Sequence, residues 1–137
     1  MSPFLRWCKF NGVGALGAAV QLAALASVNR LVPGHPLCAT AVAVELTLVH
    51  NFIWHIHTTW RDRRHQSSLR GQFIRFQVSN GLVSLMGNLM VMRMLAHNAR
   101  IPLLVANGIA ILGCSIVNFC LGNAWAFPVR RSELKRA

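Results

Sequence analysis

The chain has little charge and very little acid. Of its 137 residues only 3 are Asp or Glu, and charged residues of both signs make up 12%, against about 25% in an ordinary soluble domain. The acids Glu45, Asp62 and Glu133 stand far apart, so paired carboxylates are missing. No nucleophile–base pair takes their place, which makes an enzyme the least favoured class and implies no cofactor. The four cysteines, Cys8, Cys38, Cys114 and Cys120, have no Cys-x-x-Cys spacing and fit reduced apolar fillers. Histidine does not fill that gap. His55 and His57 are two positions apart and cannot face one another on a helix, and a zinc site needs four converging ligands. No metal site is expected.

The 14 Lys and Arg residues give a formal net charge of +11. A nucleic-acid-binding domain can be this basic, but it would not keep its charges out of long apolar runs. Here residues 10–29, 76–92 and 101–129 carry no charge, and 31–60 carry only Glu45. Runs of about 20 mostly apolar residues are the length of a bilayer-spanning helix. The expected fold is all-α integral membrane, one domain over residues 1–137, with four transmembrane helices at about 10–28, 37–56, 73–96 and 102–125. Val32-Pro33-Gly34-His35-Pro36 and Asn98-Ala99-Arg100-Ile101-Pro102 supply the turns inside each pair, and the polar stretch 57–72 separates the pairs. Pro102 suits the first turn of the fourth helix.

Orientation follows from the basic residues. Arg6, Lys9, Arg61, Arg63, Arg64, Arg70, Arg75, Arg130, Arg131, Lys135 and Arg136 fall on one side, and Arg30, Arg93 and Arg100 on the other. Eleven against three predicts that both termini and the middle loop face the cytoplasm. Trp7, Trp60 and Trp125 sit where an aromatic belt would. Arg6 and Lys9, an apolar run and Ala24-Leu25-Ala26 imitate a cleavable signal peptide. The later counterpart of helix one speaks against cleavage.

That counterpart is part of a weak repeat near 66 residues. Lys9-Phe10 leading into Asn11-Gly12-Val13-Gly14 matches Arg75-Phe76 leading into Gln77-Val78-Ser79-Asn80-Gly81. Asn51-Phe52 followed by Trp60 matches Asn118-Phe119 followed by Phe127. The pattern predicts two hairpins of the same orientation, a parallel repeat with both termini inside.

The polar residues inside these runs are the functional candidates. A carboxyl within a membrane helix costs at least about 2.5 kcal/mol on insertion scales, so Glu45 is a candidate by default. The competing reading makes it a hydrogen-bonded structural acid; Asp62 and Glu133 read as local charge partners. Thr47, Asn51, His55 and Thr58 share one helix face, with Glu45 beside it. Gln77, Asn80, Ser84 and Asn88 form a similar sector on the third helix, and Asn107, Ser115 and Asn118 lie on the fourth. Such stripes turn inward because lipid cannot satisfy their hydrogen bonds. They read either as interhelical bonds of about 0.6 kcal/mol each or as a path for a polar headgroup. The Arg61, Arg63, Arg64, Arg130 and Arg131 clusters read as topology signals that also attract anionic lipid, or as bidentate binders of a lipid phosphate. Gly12, Gly14, Gly17 and Ala18 read as close-packing positions.

One segment is more specific. Val44-Glu45-Leu46-Thr47-Leu48-Val49-His50-Asn51-Phe52-Ile53-Trp54-His55, with Thr58-Thr59-Trp60, resembles the second helix of the GtrA-like family. Val117-Asn118-Phe119 and Asn123-Ala124-Trp125-Ala126-Phe127 are similar to that family's fourth-helix ending, without its usual basic residue and with Ala126 where Thr is common. The resemblance covers nearly the whole chain. It implies a small inner-membrane protein of cell-surface polysaccharide assembly, concerned with polyprenyl-phosphate-linked sugars and found beside glycosyltransferases. Under it the substrate path would comprise Glu45, Thr47, His50, Asn51, Trp54, His55, Asn80, Ser84, Asn88, Asn118, Asn123 and Trp125. Three functions remain open: translocation of the sugar lipid, a non-transporting subunit that positions a glycosyltransferase, and a small proton-coupled efflux protein using Glu45. Four short helices offer little interior, and a homo-oligomer would supply more.

Overall fold

Ser2 starts the first helix well ahead of the apolar run. Its hydroxyl accepts the Leu5 N–H at 3.3 Å, and Pro3 takes the first helical position, where a missing N–H is harmless. The structure, a computed structural model, describes residues 1–92, 94 and 103–129, excluding the side chains of 36, 37, 85, 88, 89, 91, 92, 103–108 and 110. In it α1 runs Pro3–Leu31 rather than from residue 10. α2 runs Pro36–Trp54, again with proline in its first turn, and widens into a π turn over His55–Thr59. A short 3₁₀ turn, Arg61–Arg63, follows. α3 is Leu69–Gln77, opened by Ser68 accepting the Gly71 N–H at 3.2 Å, which moves the start ahead of the expected residue 73. A π turn, Val78–Leu82, joins it to α4, Val83–Met92. α5 is Leu103–Leu121 and ends in a π turn, Gly122–Ala126. The described residues thus form four helical rods, with no strand among them. The expected helix ends at residue 96 and start at 102, with Arg93 and Arg100, lie outside the described residues.

The chain divides into two compact units, Met1–Asp62 and Arg63–Ala137. In the first, α1 and α2 pack antiparallel through small residues. Gly17 is buried against the side-chain amide of Asn51, and a Cβ at Gly17 would lie 2.6 Å from Asn51 Nδ2. Helices approach this closely only where a glycine allows it. Ala39 and Ala43 are likewise fully buried.

At the polar end of this unit, the π turn brings Trp60 inward. The Trp60 N–H reaches back five residues to the His55 carbonyl at 2.8 Å. The indole is then fully buried, edge-on to Phe10 at 5.8 Å between centroids and to His55 at 5.0 Å. Phe10 stacks on His55 at 5.0 Å and 11°. Trp60 is therefore a core residue, not the interfacial belt residue expected from its place in the sequence: the π turn rotates it away from the outer surface.

The second unit also ends in a π turn followed by a buried aromatic residue. The Phe127 N–H reaches the Gly122 carbonyl at 2.9 Å. The buried Phe127 ring lies 6.1 Å from that of buried Phe76. Asn118 Nδ2 donates to Ser84 Oγ at 2.8 Å across α4 and α5. Farther along, a Cβ at Gly87 would come within 3.0 Å of Cys114 Sγ. Each unit's closing π turn begins four residues beyond the paired asparagine, Asn51 in one and Asn118 in the other.

The outer surfaces are apolar. Leu22 is 69% exposed and Leu112 62%, and many Leu, Ile, Val and Met side chains share that exposure, an arrangement water penalises and lipid does not. Pro3–Leu31 and Cys38–Thr59 are each long and apolar enough to cross a bilayer, with mean hydropathy 1.4 and 1.2. A shorter apolar helix spans Ile111–Ala126.

Candidate functional site

The polar stripe of α2 points at α1. Thr47 is buried and donates to the Ala43 carbonyl of its own helix at 2.8 Å. Asn51, half-buried over Gly17, accepts from His50 Nδ1 at 3.2 Å. His55 is buried between Phe10 and Trp60, sharing a 3.0 Å hydrogen bond with Thr59 Oγ1. Stacked on Phe10 and edge-on to Trp60, the ring is a packed element of the seam. Glu45 lies on the exposed side of α2, away from these three.

The second unit's polar residues are also engaged. Asn80 is half-buried, with Nδ2 3.4 Å from Ser79 Oγ. Ser84 is exposed but accepts from buried Asn118. Trp125 is exposed, and Asn123 is half-buried with its carbonyl accepting from Arg63. The Asn88 side chain lies outside the described residues, as do Arg130, Arg131 and Glu133.

The arginines after α2 divide into different tasks. Arg63 donates through one guanidinium nitrogen to the carbonyls of Asn123, at 2.8 Å, and Phe127, at 2.9 Å. It satisfies acceptors that the end of a helix leaves unpaired. Half-buried Arg64 lends its carbonyl to Gln72 Nε2 at 3.4 Å. Gln72 is fully buried and also donates to the Arg63 carbonyl at 3.2 Å and to Ser67 Oγ at 3.0 Å, folding the segment before α3 onto it. In the first unit Arg6 does comparable work. It is 6% exposed and pairs with Asp62 at 2.7 Å, which bears out Asp62 as a local charge partner.

Arg61 is placed differently. With Lys9, Gly12, Val13, Leu16, Trp54, His57 and Thr58 it lines a cleft of about 430 Å³ between α1 and the end of α2. Lys9, Arg61 and His57 are exposed, and Trp54 is 45% exposed. The Thr58 hydroxyl donates to the Trp54 carbonyl at 2.7 Å, and His57 Nδ1–H donates to the Ile53 carbonyl at 2.7 Å. A second cleft of about 330 Å³ lies toward the other end of the same seam, lined by Leu22, Leu25, Ala26, Asn29 and Thr40. It carries no charge. Sequence reasoning had brought Arg61 and Trp54 forward but read Lys9 only as a topology signal, and left His57 aside after excluding a metal. It also missed the buried Arg6 and Gln72. The available signal was their place one turn before Phe10 and Phe76, at the same end of each unit.

A family model described as GtrA/DPMS, transmembrane domain, matches residues 9–135. The chain belongs to this family. No curated protein matches it. The GtrA/DPMS match spans both units and covers the Glu45–His55 motif, the Asn118–Phe127 ending and the cleft residues. The exposed apolar helices are thus those of a membrane protein of the GtrA/DPMS type. Among the described residues no group of three or more His, Cys, Asp or Glu could hold a metal ion.

Proposed function

We propose that this GtrA/DPMS protein translocates a polyprenyl-phosphate-linked sugar across the cytoplasmic membrane for cell-surface polysaccharide synthesis, performing no covalent chemistry of its own. The family match over residues 9–135 carries the reading, and the amphipathic character of the first unit supports it. A cargo with a polar head and a long apolar tail needs polar groups near a helix seam and an apolar outer surface. The α1–α2 unit has both, in the Lys9–Arg61 cleft and in exposed residues such as Leu22 and Leu46. A glycosyltransferase that supplies the sugar lipid and a second copy of the chain are the partners this reading calls for.

The proposed topology places both termini and the 57–72 segment on the cytoplasmic side, from the basic-residue count. Ser67→Cys should therefore react with an impermeant thiol reagent only after the membrane is opened, in a background with the native cysteines replaced. Labelling from the periplasmic side would reverse the orientation.

Transfer of a labelled polyprenyl-phosphate sugar in proteoliposomes tests the function itself. Wild type should transfer, and Glu45→Gln should keep most of that activity because it keeps shape and hydrogen bonding. Glu45→Leu should lose about tenfold where the exposed carboxyl hydrogen-bonds the passing headgroup, the worth of one such bond. Equal loss in Gln and Leu would point to proton coupling, since Gln has no proton to release. An inert wild type would leave a subunit that positions a glycosyltransferase.

A further inference from the structure

We infer that the cleft lined by Lys9, Arg61, His57, Trp54, Val13 and Leu16 is a binding site for a phosphate-bearing amphiphile, with Lys9 and Arg61 holding the phosphate and the apolar wall taking the first part of the tail. The inference deepens the sugar-lipid reading and rests on it.

Charge accounting within the first unit points to this site. Arg6 takes Asp62 in a partly buried pair, and Glu45 lies elsewhere on α2. Lys9 and Arg61, both exposed, have no ion-pair partner among the described residues. Two cations at one cleft suit a phosphate, which a guanidinium can meet with two hydrogen bonds and an ammonium as a point charge. One and two turns beyond Lys9 along α1 the lining turns apolar at Val13 and Leu16, and Gly12 presents no side chain, with nothing within 4 Å of where its Cβ would lie. A headgroup can therefore approach the α1 backbone.

The volume, about 430 Å³, suits a headgroup and a short length of chain rather than a whole lipid, and lies within the usual range for small-ligand sites. Trp54 adds a half-exposed indole face against which a sugar ring can lie. The other cleft of the seam, without a charged residue, offers a phosphate no such partner. The electrostatic preference is for the Lys9 end.

Binding of farnesyl phosphate to the full chain in nanodiscs of zwitterionic lipid tests the inference, with farnesol and inorganic phosphate as the comparison probes. Lys9→Gln and Arg61→Gln should each weaken farnesyl phosphate about tenfold, the loss of one charge-assisted hydrogen bond, and the double variant more. Lys9→Arg should bind like wild type. Arg30→Gln, which removes the same charge away from the cleft, should leave affinity unchanged. Farnesol binding should not respond to any of these changes, and inorganic phosphate should bind more weakly than farnesyl phosphate. Unaltered affinity in the double variant would overturn the site, and inorganic phosphate binding as tightly as the prenyl phosphate would overturn the amphiphile. The proposed function fails separately: Lys9- and Arg61-dependent binding by a chain that moves no sugar lipid would keep the site and sink translocation.

Discussion

Trp60→Ala should destabilise the protein by about 3–5 kcal/mol, the usual loss for a fully buried large aromatic. The indole is 0% exposed and touches both Phe10 and His55 edge-on. Its removal leaves a cavity at the end of the seam where α1 and the π turn meet, and takes away one wall of the His55 site. Lipid tails cannot offset the loss by competing for the hole, because Trp60 adjoins the polar Arg61–Arg63 turn. Trp60→Phe should lose far less, since a phenyl ring keeps an aromatic face toward Phe10 and His55 and much of the buried apolar area. Unfolding of the purified protein in mild detergent, followed by thermal shift or by denaturant midpoint, measures both. A loss under about 1 kcal/mol in the alanine variant would mean that the aromatic cluster does not hold the first unit closed.

Gly17→Val should separate α1 from α2 at mid-seam. Even a bare Cβ would overlap the Asn51 amide, with Asn51 Cγ 2.7 Å away as well as the terminal atoms. Cγ follows χ1, so the amide cannot escape by swinging its tip alone; the whole side chain must leave its rotamer or the helices must part. Overpacking of this kind costs about 1–3 kcal/mol, and the branched side chain should reach the upper end. Asn51→Ala should lose the His50 contact but open the space. The double variant Gly17→Ala, Asn51→Ala should therefore be more stable than Gly17→Ala by itself, a coupling of opposite sign to simple addition. Additive losses in the double-mutant cycle would show that the two residues do not meet.

These two residues also mark what can be read from a sequence of this kind. The small residues of helix one read as close-packing positions, and Gly17 is one; nothing local distinguishes it from Gly12 and Gly14, which have open space where a Cβ would stand. The choice depends on which face of α1 meets α2. The shared face of Thr47, Asn51 and His55 was legible, because helical periodicity places i, i+4 and i+8 together. Its engagement with α1 was not, because a stripe does not carry its partner's identity. Ser2 and Ser68 were present as caps, but the apolar runs drew the expected starts to residues 10 and 73, where hydropathy begins rather than where hydrogen bonding does.

What the sequence determined by itself is the material of the fold: four apolar runs of helical, bilayer length, a basic asymmetry, and an interval near 66 residues that also separates the closing π turns. Hydrophobic length and charge are sums over local residues, so they survive without coordinates. Tertiary structure decided which arginine does what. Arg61, Arg63 and Arg64 look equivalent in the chain, yet Arg63 is committed to the carbonyls of Asn123 and Phe127 while Arg61 stands at the cleft with Lys9. A side chain's partner lies more than fifty positions away in each case, and only chain folding brings the two segments together.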